Sequence, residues 1–175
     1  MSVLETERLL FRYHEDADLD AYCQMMAEPE FRRLSGGLPL SREEAEKSFG
    51  YVKETIGKTM TLLATVYKPD SCYIGRCGLY PNRAEDTNEI IPGEGVLAFY
   101  IARPYWGLGL ATETGHAFLR YGFEELELSR IVAGTSTSNM GSNRVLQKIG
   151  MNLVNTGGTG EHTYNDYELW SSSRT

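Results

Sequence analysis

Residues 103–113 read Arg-Pro-Tyr-Trp-Gly-Leu-Gly-Leu-Ala-Thr-Glu and constrain this chain more than any other segment. They follow an apolar stretch, residues 96–101, and precede a run with helical spacing, so the chain passes from strand to helix through a turn holding Gly107 and Gly109. Glycines there remove side-chain bulk where backbone must approach a ligand. The helix start beyond them offers unpaired N–H groups and the positive end of its dipole, the makings of a phosphate socket. A strand-to-helix turn with no ligand needs glycine as well, and the distinction has to come from the rest of the chain.

Upstream, residues 7–13 carry a short strand-like stretch, and residues 16–28 place Leu19, Tyr22, Cys23 and Met26 at helical spacing up to Pro29. Ser41 followed by Glu44 has the form of a capping box, and Ala45, Phe49, Val52 and Ile56 continue a helical stripe to Gly57. Residues 61–67 and 73–80 are rich in β-formers and flank Lys68-Pro-Asp-Ser, which predicts a hairpin. Residues 82–95 are polar and read as a loop, whereas residues 96–101 are apolar on both alternating faces, as in a strand buried mid-sheet.

After the glycine turn, Leu110, Thr114, Ala117, Phe118 and Tyr121 share one helical face. Strand character resumes over 130–137. A short helix follows over 139–148, with Val145, Leu146 and Ile149 inward and Gly150 as its stop. A last strand spans 163–170 before a Ser-rich end expected to fray. Strands and helices in this order predict one α/β or α+β domain over residues 1–175, without repeats or linkers.

With 175 residues the chain can bury a sizeable core without metal or disulfide staples. Its three cysteines, Cys23, Cys72 and Cys77, lack zinc-ligand spacing and read as thiols in a reducing compartment. The start carries no secretion-signal pattern and no apolar run approaches the ~18 residues of a membrane span, so the expected location is the cytoplasm, with no membrane partner. A net charge of −7 argues against a general nucleic-acid grip.

Four segments resemble the GNAT acetyltransferases, and in particular the RimJ/RimL-like branch that acetylates ribosomal-protein N-termini. Residues 96–113 are similar to the family's acyl-CoA pyrophosphate motif, Arg/Gln-x-x-Gly-x-Gly/Ala, met by Trp106, Gly109 and Ala111 with tryptophan in the first place. Asn139-Met-Gly-Ser142-Asn143-Arg-Val-Leu-Gln-Lys-Ile-Gly150-Met resembles the branch's Asn-x-x-Ser-x-x-x-Leu-x-Lys-x-Gly-Phe segment, with Met151 for phenylalanine. Glu5-Thr-Glu-Arg-Leu-Leu-Phe-Arg12 and Ile74-Gly-Arg-Cys-Gly-Leu79 match in kind and order.

This resemblance implies a mixed, mostly antiparallel seven-stranded sheet with helices on both faces and two central parallel strands splayed apart. It implies acetyl-CoA as co-substrate and no metal. Backbone at Phe99, Tyr100 and Ile101 would bond the pantetheine arm. Trp106, Gly107, Leu108, Gly109, Leu110, Ala111 and Thr112 would wrap the pyrophosphate, with Asn139 and Asn143 near the pantetheine. The acceptor would be an amine, either a peptide N-terminus or a small molecule, and a homodimer is consistent with the family. Arg76, Arg83 and Arg103 are available for the adenosine phosphate.

Acetyl transfer needs a neutral amine, donors for the thioester oxyanion and a proton for the leaving thiolate. Strand N–H groups near Tyr100 or Ile101 suit the oxyanion. The family often uses a tyrosine for the thiolate where this chain has Leu146, so Ser142 is the candidate, with helix capping as its structural alternative. Glu94 is the candidate base, displaced by two residues from the branch's carboxylate position at Val96. Glu113 reads as a dipole partner, and His14, His116 and His162 show no triad spacing.

Two rivals are distinct. A dinucleotide-binding loop fits poorly, since Thr112 stands where a third glycine belongs. A non-catalytic acyl-CoA sensor of the same fold is consistent with the weakly placed acid and base.

Overall fold

The computed structural model describes residues 2–54, 58, 60–160 and 162–171. The expected helical positions Ile56 and Gly57 and the Ser-rich end past Ser171 lie outside the described residues. Backbone contacts gather the chain into two compact units interleaved in sequence. One comprises the chain up to Gly78 with Phe99–Leu110, the other Leu79–Ala98 with the chain from Ala111 onward.

In the first unit, β1 (Ser2–Glu5), β2 (Leu9–Arg12), β3 (Leu62–Tyr67), the start of β4 (Cys72–Arg83) and the end of β5 (Ile90–Ile101) lie side by side in that order. The pairs β1–β2, β2–β3 and β3–β4 are antiparallel. In β2, buried Leu9 and Phe11 alternate with half-buried Leu10 and Arg12, the two-residue period of a strand with one face on a core. The hairpin falls on Lys68–Ser71 as the sequence predicts: Asp70 Oδ1 accepts from Cys72 N at 2.9 Å, and Ser71 takes the left-handed backbone, φ 56°.

Helices α1 (Leu19–Ala27), α2 (Pro29–Leu34) and α3 (Arg42–Lys53) belong to the same unit. Ser41 and Glu44 do form a reciprocal capping box that starts α3. Pro29 marks the end of α1, but it also opens α2 from the first-turn position, where its missing N–H costs nothing, and the Glu28 carboxylate accepts from Phe31 N as the cap. Tyr22, Cys23, Met25 and Met26 of α1 pack with Phe31 of α2 and Ala45, Phe49 and Val52 of α3 in one buried cluster.

One irregularity shapes this unit. Thr65 pairs with Gly75 and Val66 with Tyr73, so Ile74 is an extra residue, a β-bulge in β4. The bulge offsets the two-residue alternation and brings Tyr73 and Arg76, three apart in sequence, to the same side. Tyr73 packs on the α1–α3 cluster, and the Arg76 guanidinium stands over the Tyr22 ring of α1.

In the second unit, the rest of β4 and β5, then β6 (Arg130–Ser136), β8 (His162–Trp170) and β7 (Asn152–Thr159) lie in that spatial order. The β6–β8 and β7–β8 pairs are antiparallel, and β5–β6 is parallel. Helix α4 (Leu110–Arg120) buries Leu110, Thr114, Ala117 and Phe118, the face its periodicity predicts. Helix α5 (Met140–Lys148) is followed by a left-handed Gly150. No described helix is long and apolar enough to cross a membrane.

Among the described residues the sheet has eight strands rather than seven. Residues 82–95 are also mostly strand, since β4 runs to Arg83 and β5 starts at Ile90, leaving a six-residue turn closed by Ala84 N to Glu89 O at 2.9 Å. Polar side chains suit these strand ends because they face water there. Of the stretch expected to be buried on both faces, Leu97 and Ile101 are buried, while Val96, Ala98, Phe99 and Tyr100 are half-exposed.

Candidate functional site

The glycine turn belongs to the first unit and is fastened on one flank. The Trp106 indole N–H donates to Ile101 O at 2.6 Å, Arg103 pairs with Glu28 at 3.1 Å, and Tyr105 OH donates to Asp70 Oδ2 at 3.0 Å. Arg8, on the far side of the sequence, donates from Nη1 to Leu108 O at 2.9 Å. Gly107 and Gly109 have φ of 77° and 78°, values that a side-chain-bearing residue adopts only with strain. A Cβ on Gly107 would meet nothing within 4 Å, so the turn's outer face is open.

These fastenings hold the main chain of Trp106, Gly107, Leu108 and Gly109 in one conformation up to the first residue of α4. A diphosphate has what it needs there: a helix start, fixed N–H groups and an open approach. Leu110 is fully buried, so only its backbone could take part, while Ala111 and Thr112 are half-buried on the first turn of α4. The tryptophan that departs from the broad family pattern serves here as a strap from turn to strand. Arg8 had no assigned role in the sequence; a hundred residues separate it from Leu108, beyond any spacing signal.

The parallel ladder of β5 and β6 joins Glu94 to Arg130, Gly95 to Ile131 and Val96 to Val132. Both strands continue past it, β5 to Ile101 and β6 to Ser136, and among the described residues that ladder has no further pairs. Of the three residues expected to hold pantetheine, Phe99 and Tyr100 are half-buried; the Ile101 carbonyl is taken by Trp106.

At the end of β6, Asn139 is the cap of α5, its Oδ1 accepting from Ser142 N at 3.1 Å. Capping therefore falls to Asn139 and not to Ser142, whose side chain is half-buried and makes no hydrogen bond among the described residues. Asn143 is buried and fully engaged: Nδ2 donates to Ser136 O at 2.9 Å and Asn139 O at 2.8 Å, and Oδ1 accepts from Asn165 at 2.7 Å and Tyr167 OH at 2.8 Å. An amide with both donors and both lone pairs used within the protein holds β6, α5 and β8 in register. It has no hydrogen bond left for a ligand.

Glu94 sits at the paired end of the ladder, in the second unit. Its carboxylate accepts from Asn82 Nδ2 at 2.8 Å and from Arg130 at 3.2 Å, and Arg130 also binds Glu168 at 2.7 Å. A carboxylate clamped by a guanidinium and an amide fixes strand register more readily than it accepts a proton from an amine. Of the arginines offered for the adenosine phosphate, Arg103 is paired with Glu28 and Arg83 donates to Asn88 O. Arg76 stands among aromatic rings of the first unit. His116 and His162 are exposed and His14 is buried in packing.

The family model for the acetyltransferase (GNAT) domain matches residues 8–152. The chain is 29% identical to a Bacillus subtilis protein named uncharacterized N-acetyltransferase YnaD, over 85% of this chain and 81% of that one. Its fold is similar to that of a GNAT-family acetyltransferase from Bacillus anthracis, with TM-score 0.80 and 20% identity over 95% and 97% of the two chains. It is also similar to the spermidine N-acetyltransferase of Vibrio cholerae in complex with CoA and spermine, with TM-score 0.75 and 17% identity over 95% and 98%. The chain belongs to the GNAT acetyltransferase family and is an acyltransferase.

Proposed function

We propose that this single-domain, cytoplasmic protein is an acetyl-CoA-dependent N-acetyltransferase of the RimJ/RimL-like branch, in which the acceptor amine attacks the thioester directly in a ternary complex. The observation that carries the reading is the glycine turn between Trp106 and Leu110, fastened on one flank and open on the other. Acetyl-CoA supplies the activated acetyl group. The chain contributes main-chain donors at the turn and along residues 99–101, and Asn139 and Asn143 shape the start of α5 that carries Ser142.

Ser142 is the group proposed to meet the departing thiolate. Its own proton is far less acidic than a thiol with pKa about 8.5, so it acts by hydrogen bonding or by relaying through water. No carboxylate base is assigned, because Glu94 is clamped by Arg130. The acceptor's own chemistry reduces that need. An α-amine of pKa about 8 is substantially neutral at cell pH, whereas a lysine of about 10.4 is neutral only to roughly one part in a thousand.

Substituting Gly109→Glu is expected to weaken acetyl-CoA binding tenfold or more by calorimetry, because the residue takes on a strained φ and sets a negative charge at the turn. Unchanged affinity would remove the socket. Ser142→Ala is expected to lower kcat tenfold or more while acetyl-CoA affinity stays within twofold. An undiminished rate removes the serine from the mechanism. The clamped state of Glu94 favours one second reading, an acyl-CoA sensor. Thiol release against a pool of peptides and amines decides: binding without turnover supports the sensor.

A further inference from the structure

Among the described residues of the first unit, four side-chain polar atoms are enclosed by protein and lack a hydrogen-bond partner, Thr65 Oγ1 and the trio of His14 Nε2, Tyr73 OH and Arg76 Nε. His14, Tyr73 and Arg76 are neighbours. The His14 ring lies 5.9 Å from the rings of Tyr73 and Phe49, and Arg76 is close enough to both His14 and Tyr73 to bias their ionisation. The Arg76 guanidinium lies between two ring faces, 5.1 Å from the Tyr100 centroid and 5.8 Å from that of Tyr22. Among the described residues it makes no ion pair and no hydrogen bond.

We infer that Arg76, with Tyr73 and His14, recognises a carboxylate carried by the acceptor, so that the acceptor is an amine bearing a carboxylate rather than a polyamine. The inference rests on the acetyltransferase reading and names the substrate class of that site. A guanidinium keeps its charge at every physiological pH and presents a planar fork of donors that matches a carboxylate. Aromatic faces steady the cation without using its N–H groups, which leaves the fork for a ligand.

The surroundings fit this occupant better than a cationic one. The buried carboxylate nearby, Asp18, is held by Arg12 in a two-point pair at 2.7 and 2.8 Å and does not neutralise Arg76. His14 is neutral near pH 7, since burial pushes its pKa down to about 4, so it offers a hydrogen bond without a second charge. A polyamine would bring positive charge against an unneutralised guanidinium, despite the chain's net charge of −7. The placement is also costly to build. It needs the bulge at Ile74, which brings Tyr73 and Arg76 to one side of β4, and bulges commonly re-aim side chains beside active sites.

The test compares amines with and without a carboxylate on the same skeleton: tyrosine against tyramine, leucine against isopentylamine, lysine against cadaverine. Thiol release at saturating acetyl-CoA gives kcat/KM for wild type, Arg76→Gln and Arg76→Lys. Wild type is expected to favour the carboxylate-bearing member of at least one pair by tenfold or more. Arg76→Gln should bring that ratio near one by losing rate on the amino acid alone, with KM for acetyl-CoA within twofold. Arg76→Lys, which keeps charge but not the fork, should fall between and serves as the probe if Arg76→Gln melts early. Ratios near one for wild type, or a preference that survives Arg76→Gln, overturn the inference. If no acceptor at all is turned over, the acetyltransferase reading fails separately, and calorimetry with 3-(4-hydroxyphenyl)propionate then decides. Binding that weakens tenfold in Arg76→Gln supports carboxylate recognition, and absence of heat overturns it.

Discussion

Gly75→Ala is expected to lower the melting temperature by about 10 °C or more, a destabilisation of about 4 kcal/mol in a chain of this size. Gly75 sits in the β4 bulge at φ 153°, and a Cβ there would stand 1.9 Å from the Tyr100 carbonyl oxygen and 3.1 Å from Ile101 Cα. The opposing atoms are backbone of the neighbouring strand, so no rotamer change relieves the clash. The strand itself must move by more than an ångström, against the 2.7 Å hydrogen bond from Ala102 N to Ile74 O. Gly36→Ala is the control: its φ is 86° but a Cβ would meet nothing within 4 Å, so only backbone strain of about 1–2 kcal/mol is expected, roughly 3–6 °C. Thermal melts of the two variants by circular dichroism check both. Equal losses would mean that conformation alone, and not the approach of β5, demands glycine at position 75. Displacement of Tyr100 and Ile101 also loosens the anchor of Trp106, so acetyl-CoA affinity should fall in Gly75→Ala and persist in Gly36→Ala.

What could be read in the sequence was local. Ser41 and Glu44 announce a helix start because both partners of the capping box lie within one turn. Gly107 and Gly109 announce a turn because only glycine takes those φ values cheaply. The bulge at Ile74 left no such mark, since an extra residue in one strand is defined by its pairing with another, here Thr65 and Val66. β7 leaves no mark for a related reason: Asn152–Asn155 are all exposed and show no alternation, and the strand exists by its ladder to β8. The polar segment at 82–95 reads as a loop because strand ends that face water need no apolar residues.

Side-chain roles failed in the same way. Asn139 and Asn143 stand together by resemblance, but while Asn139 caps its own helix at Ser142, the Asn143 partners Asn165 and Tyr167 lie more than 20 residues on. Glu94 looked free until β6 brought Arg130 alongside it. Arg76 was one arginine among three until the folded chain set it between Tyr22 and Tyr100, residues far from it in sequence. Spacing reports what a helix or turn does with its own residues. It is silent on what a sheet brings together.

Acidification should unfold this protein in a way that His14 dominates between pH 6.5 and about 4. His14 is buried, its ring edge-on to Phe49 and tilted against Tyr73, and desolvation holds its pKa down to about 4 against an ordinary 6.5, with Arg76 and Arg12 adding to the effect and Asp18 opposing it. Between those two values the unfolded chain binds a proton that the folded chain refuses, so stability rises with pH across the window. It is fully present above pH 6.5 and lost progressively on the way down. The full span corresponds to about 3 kcal/mol, and roughly 2 kcal/mol of it falls between pH 7 and pH 5. With a urea slope of about 1–3 kcal/mol/M, that is a midpoint shift on the order of 1 M. Asp18 works elsewhere: its pKa is held below 3.8 by the Arg12 pair and the Glu15 N–H, outweighing burial, so its contribution is lost only at lower pH. Several surface carboxylates with lowered pKa begin to titrate near the bottom of the window, and comparison with His14→Phe separates them, since phenylalanine keeps a ring against Phe49 but cannot be protonated. Urea titrations at pH 7, 6 and 5 should show the midpoint falling in the wild type and falling much less in His14→Phe. Parallel pH dependences in the two proteins would mean that the imidazole takes its proton without opening the α1–α3 cluster and that carboxylates set the acid limit.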